Sequence, residues 1–333
     1  MSALSDLAVI YRGREQLPAA TRLVVVGGAV LMLHGAAAAL LVLGTAAAHP
    51  IALGLVLTAY LAGVKHSYDW DHVSAIDNST RRFVAQHKDP VSVGFAFSLG
   101  HSSVVVLAGL LVVSGAALAG HLMEAGSAGN QVLVLIGGTV SGLFLLAMGL
   151  FNGTAFLNAA NAWRKAAAGR EVQDKDLETT GFMARLLAKP LAKVERPRNI
   201  YVLGFLFGLG FDTATTIGLL VMTTAVTLAG VSPLALMTIP LAFTAAMTLC
   251  DSVNGIAMMR LYRSALGNPQ RRLGFNAVVT GLSAVSALFA AAITLGGLVA
   301  SFGMDFPVVA WLARIDLGDA GLALVASFAA IWL

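Results

Sequence analysis

Eight long apolar runs dominate the sequence, with short polar segments between them. The runs cover residues 22–44, 51–76, 91–118, 131–157, 199–229, 234–259, 273–302 and 317–333. A helix needs about 20 apolar residues to cross the hydrocarbon core of a bilayer, and most of the runs reach that length. Charged residues make up 11% of the chain, whereas a soluble domain usually carries about 25%. The sequence therefore predicts an all-α, polytopic helical membrane protein with about eight transmembrane helices.

The basic residues follow a strict order along the chain. All Lys and Arg residues except Lys65 and Arg314 fall in the N-terminal segment or in the loops after the second, fourth and sixth runs. Cytoplasmic loops carry an excess of Lys and Arg, so these loops and both termini are predicted to be cytoplasmic. The basic pI near 9.4 is thus explained by membrane topology, and no nucleic-acid partner is expected.

The chain is predicted to form a single transmembrane domain over residues 1–333. A polar segment at about 159–198, between the fourth and fifth helices, is predicted to be a cytoplasmic linker loop. One cysteine, Cys250, excludes an intramolecular disulfide and a cysteine-based zinc cluster. The chain contains no GxxxxGK[ST] phosphate loop, so no ATP-binding motif is assigned to it. The sequence assigns no oligomeric state.

A seven-residue motif occurs twice. GFAFSLG at 94–100 returns 110 positions later as GFLFGLG at 204–210, with five of seven residues identical. Each copy opens a run that is predicted to cross from inside to outside. Transporters are often built from internal repeats whose glycine-interrupted helices line the binding site. Because glycine and phenylalanine are common in membrane helices, chance similarity is the alternative explanation.

Ionisable residues inside the runs are the main functional candidates, because each costs about 2.5–3.5 kcal/mol to insert at the centre of a membrane helix. At a rise of about 1.5 Å per residue, those of the second, third, fifth and sixth runs lie between the midplane and the cytoplasmic half of the membrane. Four helices therefore place ligand-type side chains at overlapping depths. These residues are His66, Asp69, Asp71, His72, His101, Asp212 and Asp251.

The segment from His66 to His72 is the densest part of this set. On an ideal helix His66, Asp69 and His72 fit within a sector of about 120°, whereas Asp71 points about 140° away from His66. Either Asp71 serves another partner or the helix is irregular here. Imidazole and carboxylate ligands suit nickel, cobalt, zinc or manganese better than magnesium or calcium. The residue types alone do not choose among these transition metals.

Structural roles are the alternative for several polar residues. Asp71 is a candidate for an ion pair with Lys65 or with a loop arginine, because intramembrane charges usually pair. Asp77 is predicted at the membrane edge near Arg81 and Arg82, where a structural role is favoured over metal contact. His34 stands by itself in the first run and is predicted to make a helix–helix contact.

Four motifs in order resemble those of the nickel/cobalt transporter (NiCoT) family. The segment 65–78, KHSYDWDHVSAIDN, is similar to the H-x4-D-H signature of the family's second helix. FSLGHSSVV at 97–105, LGFDTAT at 209–215 and AMTLCDS at 246–252 are similar to its third-, fifth- and sixth-helix motifs. In runs two to six the resemblance rests on sequence motifs. In runs one, seven and eight it rests only on the predicted topology.

The resemblance implies an eight-helix permease that takes up Ni²⁺ or Co²⁺ across the bacterial inner membrane without ATP. His66, Asp71 and His72 match the metal-selecting residues, while His101, Asp212 and Asp251 match supporting positions. No prosthetic group is implied, and the metal ion is the transported substrate. The family's usual partners are therefore a divalent transition-metal ion and the lipid bilayer.

Two positions depart from the family pattern. Thr216 stands where the family has Glu, and Asn254 stands where it has a second Asp of the sixth helix. The inner exit of the pathway is therefore expected to be less acidic than in the family. Three other functions stay open at this stage: an exporter of the same metals, an intramembrane metalloenzyme, and a b-type cytochrome. The metalloenzyme is disfavoured because the second run lacks H-E-x-x-H, and the protein is not expected to be an enzyme.

Overall fold

The structure is a computed structural model of the 333-residue chain. It describes residues 17–43, 50–115, 122, 124, 126–168, 170, 196–210, 216–218, 220–221, 232–264, 269–303, 307–312, 324 and 326–327. Its helices are α1 (Ala19–Leu43), α2 (Pro50–Ser67), α3 (Trp70–Ala85), α4 (Val93–Val113), α5 (Ala128–Ala167), α6 (Pro197–Gly208), α7 (Pro233–Leu236), α8 (Thr238–Ser264), α9 (Pro269–Ser301) and α10 (Pro307–Leu312).

Five segments among the described residues are long and apolar enough to cross a membrane. They are Ala19–Leu43, Val93–Val113, Ala128–Ala167, Pro233–Arg263 and Ala277–Ser301. Many large apolar side chains on these helices are exposed, such as Val24, Leu31 and Val285. Apolar side chains exposed along several helices are what a lipid-facing surface requires. The prediction of an all-α polytopic membrane protein is confirmed.

The second apolar run contains a break in its helix. The sequence predicts one span over 51–76, but α2 ends at Ser67 and α3 begins at Trp70 and continues to Ala85. Asp69 lies between them in an extended conformation, with φ −60° and ψ 140°. The backbone N–H of Asp69 donates to the carbonyl of His66 at 3.1 Å, which ends α2 in a tight turn. The sequence left two alternatives, another partner for Asp71 or an irregular helix, and the structure contains the irregular helix.

The fourth run is longer than predicted. Its helix, α5, continues to Ala167 and so includes the first residues of the predicted linker loop. Ser127 caps the start of α5 by accepting a hydrogen bond from the N–H of Asn130. The central part of the predicted loop, residues 171–195, lies outside the described residues.

The two copies of the repeated motif pack against each other where α4 crosses α6. A Cβ atom on Gly100 would collide with the carbonyl oxygen of Tyr201, and one on Gly204 with the carbonyl oxygen of Phe97. Small residues allow helix backbones to approach closely in membranes, where such packing replaces the hydrophobic effect as the main attraction. The first glycine of the first copy, Gly94, packs in the same way against the backbone of Asp251 in α8.

Gly100→Ala is expected to destabilise the folded protein by about 1–3 kcal/mol or more, because backbone atoms rather than a flexible side chain block the added methyl group. Gly28→Ala is the matched control, since a Cβ atom on Gly28 has nothing within 4 Å. Thermal unfolding of the purified proteins in detergent, followed by size-exclusion chromatography, measures the difference. Equal midpoints for the two variants would show that the α4–α6 crossing is loose.

Candidate metal site

Three imidazoles meet at the break between α2 and α3. His66 comes from the last turn of α2, His72 from the first turn of α3, and His101 from the middle of α4. The Nε2 atoms of His66 and His101 are 3.1 Å apart. One ring nitrogen from each of the three histidines lies within 4.8 Å of the other two. This spacing allows one ion to contact all three rings after small side-chain adjustments.

The helix break is what brings His66 close to His72. Six residues of a continuous helix rise about 9 Å and would separate the two side chains along the axis. With Asp69 extended, the ring centroids of His66 and His72 are 4.5 Å apart. Irregular backbone inside a membrane is tolerated where it is enclosed by protein or lines a polar cavity. The break therefore creates a compact site from one short stretch of sequence.

Two carboxylates lie beside the imidazoles. Oδ2 of Asp69 is 2.6 Å from Nδ1 of His66. Oδ2 of Asp251, on α8, is 3.7 Å from Nδ1 of His72. A carboxylate on one ring nitrogen fixes the orientation of an imidazole and leaves the other nitrogen as a ligand. The pair Asp69–His66 has this arrangement, because Nε2 of His66 faces His101.

The site is buried, and several of its polar side-chain atoms have no hydrogen-bond partner. His72 and Asp251 have no exposed surface, and His101 is 5% exposed. Among the described residues, both ring nitrogens of His72 and Nδ1 of His101 make no hydrogen bond, while Ser98 lies beside the carboxylate of Asp251. Buried polar groups are normally hydrogen-bonded, so these unpaired groups indicate a place for a ligand. The free nitrogen lone pair of each imidazole and the carboxylate oxygens are groups that a cation can bind.

Aromatic side chains enclose the histidines. The ring of Phe97 lies 5.0 Å from that of His72, and the ring of Phe243 lies 5.9 Å from that of His66. Phe97 belongs to the repeated motif and to the third-helix motif, whereas Phe243 does not stand out in a sequence whose runs are all apolar. Their contribution is to exclude water, which strengthens the interaction between a cation and the carboxylates.

The remaining candidates take other positions. Oδ1 of Asp71 accepts a hydrogen bond of 2.9 Å from the backbone N–H of His72 in the first turn of α3. An ion pair between Asp71 and Lys65 is not found in the described part of the chain. The fifth-helix candidate, Asp212, lies in the segment 211–215, which is outside the described residues. Asp71 therefore lies within electrostatic reach of His66 and His72.

Asp77 has the structural role that the sequence favoured. Its carboxylate is fully buried on α3, which extends nine residues past the predicted end of the run at 76. It accepts a hydrogen bond from the hydroxyl of Tyr262, a residue that the sequence did not single out. The spacing of 11 residues between Asp251 and Tyr262 was the available signal, because it places both on one face of a helix.

His34 makes the helix–helix contact that its sequence context predicts. Its Nε2 atom lies 3.2 Å from the hydroxyl of Tyr60, which joins α1 to α2, and its Nδ1 atom lies 2.9 Å from the carbonyl of Val30. Both ring nitrogens are thus used within the protein. His34 is separate from the three-histidine site.

A buried imidazole–carboxylate cluster in a polytopic helical protein is the arrangement expected of a membrane permease for transition-metal ions. The profile of the family described as high-affinity nickel-transport protein, NicO, matches residues 52–333. The chain belongs to this family, and the resemblance drawn from its motifs is confirmed. Because the members of the family are transporters, the metalloenzyme and cytochrome alternatives are set aside.

Similar proteins cover most of the chain. The nickel transporter NicT of Mycobacterium tuberculosis is 37% identical over 285 residues, 84% of this chain and 77% of NicT. The high-affinity nickel-transport protein NixA of Helicobacter pylori is 34% identical over 316 residues, 92% of this chain and 93% of NixA. The cobalt transport protein NhlF of Rhodococcus rhodochrous is 34% identical over 323 residues, 93% of this chain and 90% of NhlF. No solved structure matches the chain.

Proposed function

We propose that the protein takes up Ni²⁺ or Co²⁺ across the bacterial inner membrane through the three-histidine site. The observation that carries the proposal is the meeting of His66, His72 and His101 beside the buried carboxylates of Asp69 and Asp251. Nitrogen ligands with carboxylates and no thiolate suit borderline divalent metals such as nickel and cobalt. The names of the relatives as nickel and cobalt transporters support the same choice.

The inward direction follows from electrostatics and topology. Two positive charges gain about 4.6 kcal/mol on moving to the negative side of a potential of about 100 mV. Arg81 and Arg82 near the end of α3 and Lys88 just after it support a cytoplasmic position for this end of the helix. Uptake therefore needs no ATP, and both termini are assigned to the cytoplasm. Export of the same ions is the competing direction.

We propose that two neutral residues affect the metal preference. Thr216 and Asn254 replace acidic residues of the family motif, and Asn254 lies one helical turn after Asp251 on α8. We propose that the histidines select the metal ion and that the inner exit binds the ion more weakly than in the family. Uptake and metal selectivity unchanged by the double variant Thr216→Glu and Asn254→Asp would contradict this assignment.

Uptake is expected to depend on membrane potential. In proteoliposomes containing the purified protein, an interior-negative potential of about 100 mV supports a limiting accumulation ratio above about 1,000 for a dication. The measurement compares radioactive nickel, cobalt, zinc and manganese, with a potassium diffusion potential imposed or absent. Empty liposomes are the control. Accumulation of none of these ions, or net loss from loaded vesicles whose interior is negative, would contradict the proposal.

A further inference from the structure

A second buried polar cluster lies along α3, on the inner side of the histidines. Ser74, Asp77, Asn78, Ser79 and Thr80 are each at most 1% exposed, so α3 is polar yet enclosed on all sides. Burying polar groups costs free energy, and a helix of this kind is retained when its polarity is used. One end of α3 carries His72 of the metal site, and the other carries the basic residues of the predicted cytoplasmic face.

Three helices are joined at Asp77. The hydroxyl of Tyr262, on α8, donates to Oδ1 of Asp77, and it also lies 3.2 Å from Oγ of Ser283 on α9. Asp77 is about 7.5 Å further along α3 than His72. The contact therefore lies between the metal site and the inner end of α3.

A second bond ties α3 to α9 one turn further in. Nη2 of Arg81 donates to Oγ1 of Thr280. Thr280 and Ser283 are three residues apart on α9, so both bonds use one face of that helix. Together, Asp77, Tyr262, Ser283, Arg81 and Thr280 are called the inner cluster below.

The residues of the inner cluster are better suited to holding the pathway closed than to binding the ion. It contains a single carboxylate, and Tyr262 already donates to that carboxylate. Arg81 places a positive charge one turn beyond Asp77, where it repels a dication. A cation site would instead require several acceptors without a competing cation. In this arrangement the acidic group holds helices together.

We propose that the hydrogen bond between Tyr262 and Asp77 is the inner gate of the metal pathway. With the bond formed, α3, α8 and α9 are held together and the histidine site is closed to the cytoplasm. Release of Tyr262 separates these helices and frees the Asp77 carboxylate for the departing cation. The inference rests on the proposed transport function for its pathway and direction.

Thiol labelling tests the gate independently of transport. The reporter is Ser74→Cys, because Ser74 is fully buried on α3 between His72 and Asp77. The background is Cys250→Ser, which removes the natural cysteine of the chain. A charged methanethiosulfonate is applied, in the absence of metal, to inside-out and right-side-out membrane vesicles. The rate at which the reporter is blocked measures access from each face.

Tyr262→Phe is expected to raise the labelling rate at least tenfold in inside-out vesicles and to leave it unchanged in right-side-out vesicles. Tyr60→Phe is the matched control, because it removes a tyrosine hydroxyl bonded to His34 in another part of the fold. Asp77→Asn keeps an oxygen that accepts from Tyr262 and is expected to retain most of the closed behaviour. Asp77→Ala removes the acceptor and is expected to label as fast as Tyr262→Phe.

An unchanged rate in Tyr262→Phe, or an equal increase from both faces, would overturn the gate. If that variant does not fold, the comparison of Asp77→Ala with Asp77→Asn tests the same hydrogen bond, and equal labelling rates in those two variants would overturn the gate. Failure of the transport proposal is recognised separately, because it appears as absent metal uptake by the native protein. The labelling result does not depend on which ion is carried.

Discussion

His72→Ala is expected to reduce accumulation of nickel and cobalt by at least about 100-fold, a larger loss than changes around a metal site usually cause. His72 contributes one of the three imidazoles, and its ring centroid lies 4.5 Å from that of His66 and 4.6 Å from that of His101. Two imidazoles alone replace less of the ion's hydration shell. A dication would then enter a low-dielectric site without sufficient compensation.

The substitution is expected to preserve the fold. In the described part of the chain neither ring nitrogen of His72 makes a hydrogen bond, so removing the ring breaks no hydrogen bond. His34→Ala is the control, since it removes a membrane histidine that contacts Tyr60 away from the site. Initial rates of radioactive nickel uptake into proteoliposomes, normalised to inserted protein, measure both variants. Native-like uptake by His72→Ala would remove the histidine site from the mechanism.

Much of the site could be predicted from sequence because depth in a membrane is simple to calculate. Counting residues from the ends of apolar runs places His66, His101 and Asp251 at similar depths. The structure then brings the two histidines and the carboxylate of Asp251 together around His72. The high cost of burying ionisable groups makes each such residue conspicuous in an apolar run. Sequence therefore identifies these residues even without their geometry.

The helix break was not determined by the same reasoning. Hydropathy is continuous enough through residues 51–76 to predict one span, and an aspartate is compatible with either a helix or an extended residue before a helix. In the structure Asp69 is extended, and its side chain lies 2.6 Å from His66, three residues earlier. The hydropathy pattern is compatible with a helical and with an extended Asp69, so the sequence alone does not decide between them.

The inner cluster is a second feature that the sequence alone could not predict. Asp77 lies just past the end of the predicted run, so a membrane-edge position follows from hydropathy. Its burial comes from α8 and α9, which supply Tyr262 and Ser283 from residues distant in sequence. The repeated glycine motif could be recognised in sequence. Its packing of one copy against the other, through Gly100 and Gly204, required the three-dimensional structure.

Asp251→Asn is expected to lower nickel uptake by about 10–100-fold at limiting metal concentration, the range found when a group that supports a metal ligand is changed. The substitution keeps the shape of the side chain and removes one negative charge. Asp251 is fully buried, and Oδ2 lies 3.7 Å from Nδ1 of His72. Its charge therefore acts through a low dielectric on both the imidazole and any dication beside it.

The control for this charge is Asp89→Asn. Asp89 has two cationic partners, Arg22 near the start of α1 and Arg263 near the end of α8, each at 3.6 Å. Removing that charge is expected to leave the concentration for half-maximal uptake within about twofold, because the charged partners of Asp89 are Arg22 and Arg263 rather than the histidines. Asp251→Glu keeps the charge and is expected to recover part of the lost uptake. A full-rate Asp251→Asn protein with unchanged metal affinity would show that the histidines bind the dication without help from this carboxylate.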